Sequence, residues 1–396
     1  MQSNRALQFF WVLALAAGCV ACGGGDSSSG GGTAPSAPVV TGDNVLAITV
    51  NGSLCSSNSY INKPCVSVTI CSPATSTCQT IDDILLDTGD SGLRIFKQAL
   101  GVSLTQVTSG GNPVAECIQY ADGSSVWGPV KTAGVVLGNE PAVQVPIHVI
   151  DSTFGTAPPA CSGAYRTPAE AGYNGSLGVS FFAQDCGTTC AGGPTGIYYT
   201  CSGATCTGAP VALPIQVQNP VALLPVDNNG VIVQLPGVPS GGSPSASGYL
   251  VLGIGTRSNN VPSGVTAYAA DTDGNLTTSF NGSSYTGFLD TGSNGLFFPS
   301  ALPNCASPDS AWYCPASTQD LSATNKGASG SPSGVVSFQI ANFETLLASP
   351  ANNVFDDIGG DNTNFDWGIP FHLGRNVYIG IEGKASSLGS GFYWAY

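Results

Sequence analysis

The run Leu85-Leu-Asp-Thr-Gly-Asp-Ser-Gly-Leu-Arg-Ile-Phe96 has a near copy at Phe288-Leu-Asp-Thr-Gly-Ser-Asn-Gly-Leu-Phe-Phe298. Each copy reads as an apolar strand, an Asp-Thr-Gly turn and a second apolar run. One Asp-Thr-Gly is weak evidence, because such turns are common in β proteins. Two copies, each between apolar strands, restrict the chain to two lobes that each deliver one aspartate, Asp87 and Asp290, to a shared site. Thr88 and Thr291 can hydrogen-bond inside their turns, and Gly89 and Gly292 let another backbone approach closely.

A pair of carboxyls has a specific chemical use. One carboxylate takes a proton from water while a neighbouring carboxylic acid gives one to a carbonyl oxygen, so an amide is hydrolysed without a covalent intermediate. Two carboxyls close enough to share a proton do not both ionise easily, and their pKa values split. Such a pair titrates as a unit, so the sequence leaves open which aspartate is acid and which is base.

Composition sets the fold class. The 396 residues include 53 Gly and 27 Pro, and only 9% are charged. Short Val, Ile, Thr, Tyr and Phe runs lie between Gly, Pro, Asn and Ser clusters, which indicates an all-β chain. With 10 Lys and Arg and a net charge of −14, no basic patch for nucleic acid can be assembled. The charge fits a self-repelling exported surface and a monomer.

Residues 1–22 read as an export signal. Arg5 precedes an apolar stretch from Phe9 to Gly18 that is too short to span a bilayer. Ala16-Ala-Gly-Cys19-Val-Ala-Cys22 then meets a Gly/Ser run. This resembles a bacterial lipoprotein signal, which implies a lipid anchor in the membrane, on the periplasmic or the cell surface. Removing Cys19 and lipidating Cys22 leaves an even number of the 14 cysteines, so Cys22 is the expected site. Cys19, after Ala-Ala-Gly, is the alternative. Residues 23–43 form a low-complexity tether with no assigned structure. The other cysteines read as disulfides of an exported protein. Cys71–Cys78 and Cys305–Cys314 are expected local pairs. Cys186, Cys190, Cys201 and Cys206 have spacings that mimic a zinc site, but export favours disulfides.

Further stretches join the two motifs. Tyr120-Ala-Asp122-Gly123-Ser124 and Gly128 follow the first Asp, Leu177-Gly178 closes the first half, and Trp367-Gly368 with Phe371 closes the second. In this order, over residues 45–396, the chain resembles the pepsin-like aspartic peptidases. Aspartic proteases are the standing example of a pKa-split carboxyl pair. The resemblance implies a two-lobed β-barrel fold with a central cleft, lobes at 44–215 and 216–396, and a water held between Asp87 and Asp290. It implies support from Thr88, Gly89, Thr291, Gly292 and Ser293, and a flap carrying Tyr120, Asp122 and Gly123. The implied substrate is a peptide or protein, with no cofactor and no metal. Two positions depart from the family. Asp90 stands where Ser or Thr is usual; a third carboxyl there would raise pKa values, lower the working pH or mark a lobe without catalysis. Arg94 replaces an apolar residue and is expected to alter the wall of the cleft. An alternative function on the same fold is a peptide- or glycan-binding surface protein.

The remaining signals are read as structural. Residues 219–247, rich in Pro, Gly and Ser, are expected to be surface loops. Asp271-Thr-Asp-Gly-Asn275 is expected to be a hairpin turn, since Gly282 at the twelfth position supplies no calcium ligand. Asp356, Asp357, Asp361 and Asp366 are expected to be a solvated acidic loop, and His148 and His372 packing or part-surface residues, which leaves His-dependent triads unsupported.

Overall fold

The computed structural model describes residues 34–56, 60–73 and 75–396. The chain is predominantly β, with helices of at most a turn or two. Among the described residues no helix is long and apolar enough to cross a membrane. The lipidation candidates Cys19 and Cys22 lie outside the described residues.

Each half contains the same threading unit. The strand Cys78–Asp87 runs into the first Asp-Thr-Gly loop, and the chain returns as Ser91–Phe96. The later strand Gly175–Val179 lies between them, parallel to the first (Gly178 opposite Asp87) and antiparallel to the second (Gly178 opposite Gly92). In the second half, Phe365–Trp367 lies between Ser283–Leu289 and Leu296–Phe297 in the same way, parallel to one and antiparallel to the other. Glycine follows from the geometry. A Cβ on Gly178 would lie 2.8 Å from the Asp90 carbonyl, and one on Gly368 2.1 Å from the Gly295 carbonyl oxygen.

A shared antiparallel sheet joins the halves. Its order is Val45–Val50, Ala246–Leu252, Gly230–Gln234, Asn376–Gly380, Tyr393–Ala395 and Ala267–Ala269. The first strand therefore pairs with the second half of the chain. Residues 219–247 are not all surface loop: Gly230–Gln234 is central in this sheet, and Val231, Ile232 and Val233 are buried. The apolar Val-Ile-Val run was outweighed in the sequence by its Pro- and Gly-rich flanks. The tether reading also ends early. Ala37 is buried, and its N–H donates to the Ser247 carbonyl at 2.8 Å.

A continuous apolar core runs from Leu46 to Trp394 through both halves. In the second half its centre is aromatic, with Phe298 stacked on Phe365 and Phe365 against Trp367. Among the described residues Cys55–Cys65, Cys71–Cys78, Cys186–Cys190, Cys201–Cys206 and Cys305–Cys314 are local disulfides, and Cys117–Cys161 spans 44 residues. The two expected pairs are present, and the four cysteines with zinc-like spacing form two separate bridges.

Candidate active site

The two Asp-Thr-Gly loops meet at their threonines, both fully buried. The Thr88 N–H donates to Thr291 Oγ1 at 3.1 Å, and the Thr291 N–H donates to Thr88 Oγ1 at 3.0 Å. Each hydroxyl then donates across the pair, Thr88 to the Leu289 carbonyl at 3.2 Å and Thr291 to the Leu86 carbonyl at 2.7 Å. Valine in either place would keep the shape and lose both roles.

This lock sets Asp87 and Asp290 face to face. A Cβ on Gly89 would come within 2.7 Å of Asp290 Cγ, and one on Gly292 within 2.9 Å of Asp87 Cγ. Asp87 Oδ1 accepts from the N–H groups of Gly89 (2.9 Å) and Asp90 (3.0 Å). Asp290 Oδ1 accepts from the Gly292 N–H at 2.7 Å, and its Oδ2 accepts from Ser293 Oγ at 2.9 Å. Burial pushes the Asp87 carboxyl well above the usual range. The charges of Asp290 and Asp90 and the hydrogen bond to Asp290 push the same way, against the Gly89 N–H. Burial and the facing like charge thus favour a proton on Asp87, the arrangement that general acid–base chemistry on water uses.

The loops differ at their fourth residue. Ser293 Oγ also lies 2.6 Å from Asp366 Oδ2. Asp90 instead turns away from Asp87: its Oδ1 accepts from the Ser91 N–H and its Oδ2 pairs with Arg94 Nη1, both at 2.7 Å. Arg94 does not wall the cleft, as expected from its position, but is fully buried beneath Asp90. There it also meets Asp185 at 3.1 Å, Glu116 at 3.5 Å and the Ser91 carbonyl at 3.0 Å. A guanidinium out of water needs such acceptors on several sides. His148 Nδ1 lies 2.8 Å from Glu116 Oε2, and Tyr198 donates to Asp185 at 2.6 Å. Burial, with Arg94 nearby, pushes the His148 imidazole down to about 3, and burial does the same to His372. Both histidines are fully buried packing residues, not part-surface ones.

The hairpin expected around Tyr120 is formed by Asn112–Gln119 and Ser125–Val136, with Gln119 opposite Ser125. Its tip closes by Gly123 N–H to the Tyr120 carbonyl at 3.0 Å and by Asp122 Oδ1, which accepts from Ser124 N–H and Oγ. Gly123 has φ +86°, where a side chain is strained. Tyr120 packs with Phe96, Val126 and Tyr173. Its phenol is pushed up by burial and by the Asp90 and Asp87 carboxyls, with Arg94 opposing, so it sits within electrostatic reach of Asp87.

Two residues of the site were not foreseen. Tyr60 donates to the Gly292 carbonyl at 2.8 Å from a loop of the first half. Burial, then the charges of Asp290, Asp122 and Asp87, push its phenol up. A single aromatic in the polar stretch 51–62 carries no pattern that would have marked it. Asp366 is the other. The acidic cluster is not a solvated loop throughout: Asp366 and Asp357 are buried, and only Asp361 is exposed. The strand pattern Phe-Asp-Trp next to Gly368 was the available signal for Asp366. Asp271 forms the expected turn, its Oδ1 accepting from the N–H groups of Asp273 and Asn275. A separate concavity of about 900 Å³, lined by Leu296, Asp320, Phe338, Phe371 and Arg375, contains neither Asp87 nor Asp290.

No curated protein matches the chain at a significant level. A family model described as protein of unknown function (DUF3443) matches residues 40–396, which takes in both Asp-Thr-Gly loops and the hairpin between them, and the chain belongs to that family.

Proposed function

We propose that the chain is an aspartic-type endopeptidase of pepsin-like fold, anchored to the bacterial envelope through a lipidated Cys22, or Cys19, and acting on peptides or proteins. The observation that carries this reading is the reciprocal lock of Thr88 and Thr291, which sets Asp87 and Asp290 face to face, with burial and Asp290 raising the Asp87 carboxyl. In the proposed reaction a water lies between them. The ionised carboxyl takes a proton from the water as its oxygen bonds to the substrate carbonyl carbon, and the protonated carboxyl gives its proton to the carbonyl oxygen. The tetrahedral diol then collapses: the pair gives a proton to the nitrogen, the carbon–nitrogen bond breaks, and a diol hydroxyl returns its proton to the pair as the new carboxylic acid forms. The 112–136 hairpin is the proposed flap, with Tyr120, Asp122 and Gly123 closing over an extended substrate and excluding water. Tyr60 supports the second loop from beneath.

A second reading has one observation behind it. Asp90 supplies a third carboxyl beside Asp87 where a hydroxyl would serve a peptidase, and a cleft so altered could bind a peptide or glycan without cleaving it. The deciding experiment is cleavage of a denatured-protein or peptide library from acid to neutral pH, with wild type beside Asp290→Asn and Asp87→Asn. Cleavage that disappears in both folded variants supports the peptidase. Cleavage that survives either variant, or a folded wild type that cleaves nothing, sinks it. A transition-state-mimicking hydroxyl inhibitor separates the readings again, because only a working pair gains strongly from it.

A further inference from the structure

A chain of oxygens leads out of the carboxyl pair. Asp366 Oδ2 lies 2.6 Å from Ser293 Oγ, which lies 2.9 Å from Asp290 Oδ2. The serine hydroxyl has one proton for these two contacts. Both close as hydrogen bonds only when one of the two carboxyls carries a proton of its own.

Asp366 is the better placed of the two to keep that proton. It is 7% exposed, on the strand threaded through the second loop. Its Oδ1 is buried without a hydrogen-bond partner, and among the described residues no cationic side chain is paired with it. The Ser283–Leu289 strand and its loop bring Tyr285, which packs on Phe365, and Asp290. Leu296–Phe297, on the other side, brings no titratable group. A buried carboxyl facing a like charge stays neutral, and burial and then Asp290 push the Asp366 carboxyl well above its ordinary range. At Asp87 the matching position is Asp90, which is turned to Ser91 and Arg94. A side-chain hydroxyl donor therefore reaches Asp290 and not Asp87.

We infer that Asp366 is a positioning residue: it donates its proton to Ser293 Oγ, so that Ser293 donates to Asp290 and holds Asp290 as the ionised, water-activating member while Asp87 carries the proton of the pair. The catalytic half of this statement rests on the peptidase reading; the proton chain does not.

The test uses the purified full chain and its Asp366→Asn, Asp366→Ala and Ser293→Ala variants. The amide of Asp366→Asn still donates and has no proton to lose. Its kcat on the acid side is expected within about threefold of wild type, with the alkaline limb moved up by roughly half a pH unit or more. Asp366→Ala removes the donor, and kcat is expected to fall about tenfold with KM nearly unchanged. With Ser293→Ala in the background, the two Asp366 variants are expected to behave alike. An Asp366→Asn profile superimposed on wild type, or equal losses in Asn and Ala variants with Ser293 intact, overturns the inference. A second readout needs no activity. The infrared difference between wild type and Asp366→Asn at neutral pH is expected to contain a protonated-carboxyl band. Absence of that band overturns the proton chain. If the band is present and wild type cleaves no peptide, the chain stands and its catalytic use falls.

Discussion

Thr291 makes two contacts that the other loop depends on, donating to the Leu86 carbonyl and accepting from the Thr88 N–H. Thr291→Val strands both partners in a buried site, at a cost of about 1–3 kcal/mol. Urea melts should register that loss, and kcat should fall at least about tenfold through misplacement of the carboxyls. Thr291→Ser should keep most of both, and equal behaviour of Val and Ser would remove the lock from the account. Arg94 is the other decisive residue. Arg94→Met leaves Asp90, Glu116 and Asp185 without their cation, and breaking a buried network from one side costs roughly 3–5 kcal/mol. Asp90→Ser is milder, because Arg94 keeps Glu116 and Asp185. Its effect on the pair has a definite sign. The Asp90 charge helps to hold the Asp87 carboxyl up, so its removal lets Asp87 ionise earlier. The alkaline limb of the cleavage profile should then move down in Asp90→Ser, opposite to its movement in Asp366→Asn. A limb that stays in place would show that Asp90 is electrically silenced by Arg94.

The threaded strands place the loops, and their glycines are the points of closest approach. Gly178→Ala puts a methyl group against the backbone of Asp90 and Ser91, and Gly368→Ala puts one against the Ser293 and Gly295 carbonyls. Backbone cannot rotate away as a side chain can, so each substitution should cost about 1–3 kcal/mol. Each should also lower kcat more than the stability loss predicts. Gly110→Ala, where no atom lies within 4 Å, is the control for a glycine in a strained turn without crowding. These elements were legible in the sequence because they rest on local signals. The duplicated Asp-Thr-Gly, the Tyr120–Ser124 turn and the Cys71–Cys78 hairpin each fit within one short window. Three things were not legible, for one physical reason. Gly230–Gln234 is buried between Ala246–Leu252 and the distant Asn376–Gly380. Tyr60 reaches a carbonyl of the other half. Arg94 satisfies a cluster gathered from the Cys78–Phe96 region, the hairpin and the Asp185 loop. Their roles come from long-range contacts, and composition near each pointed to loop, chance aromatic or cleft wall.

Across the whole molecule the buried acids set the response to pH. Asp87, Asp185 and Asp366 are raised well above their ordinary range, each first by burial, and Asp357 to about 6 by burial and Asp356. A raised folded pKa on an acid means that the folded chain holds protons the unfolded chain has released. The stabilisation is full below the unfolded carboxylate range and is lost as pH rises through the folded values. His148 and His372 act in the opposite sense. Their imidazoles are held down to about 3 by burial, so their contribution is full above the unfolded histidine range, near ~6.5, and fades as pH falls below it. Between pH ~5 and ~7.5 the two sets compete. The acids outnumber the histidines, and the wild-type chain should be more stable near pH ~5 than near ~7.5, by urea midpoint at each pH. Replacing Asp366 by Asn removes one raised acid and should flatten that slope, whereas replacing His372 by Phe should steepen it. A chain that is more stable at the higher pH would mean that the carboxyls near Asp87 and Arg94 ionise within the fold. The proton that the proposed water activation requires of the carboxyl pair would then be missing at that pH. Stability and cleavage should therefore decline together on the alkaline side, because both depend on the same buried acids.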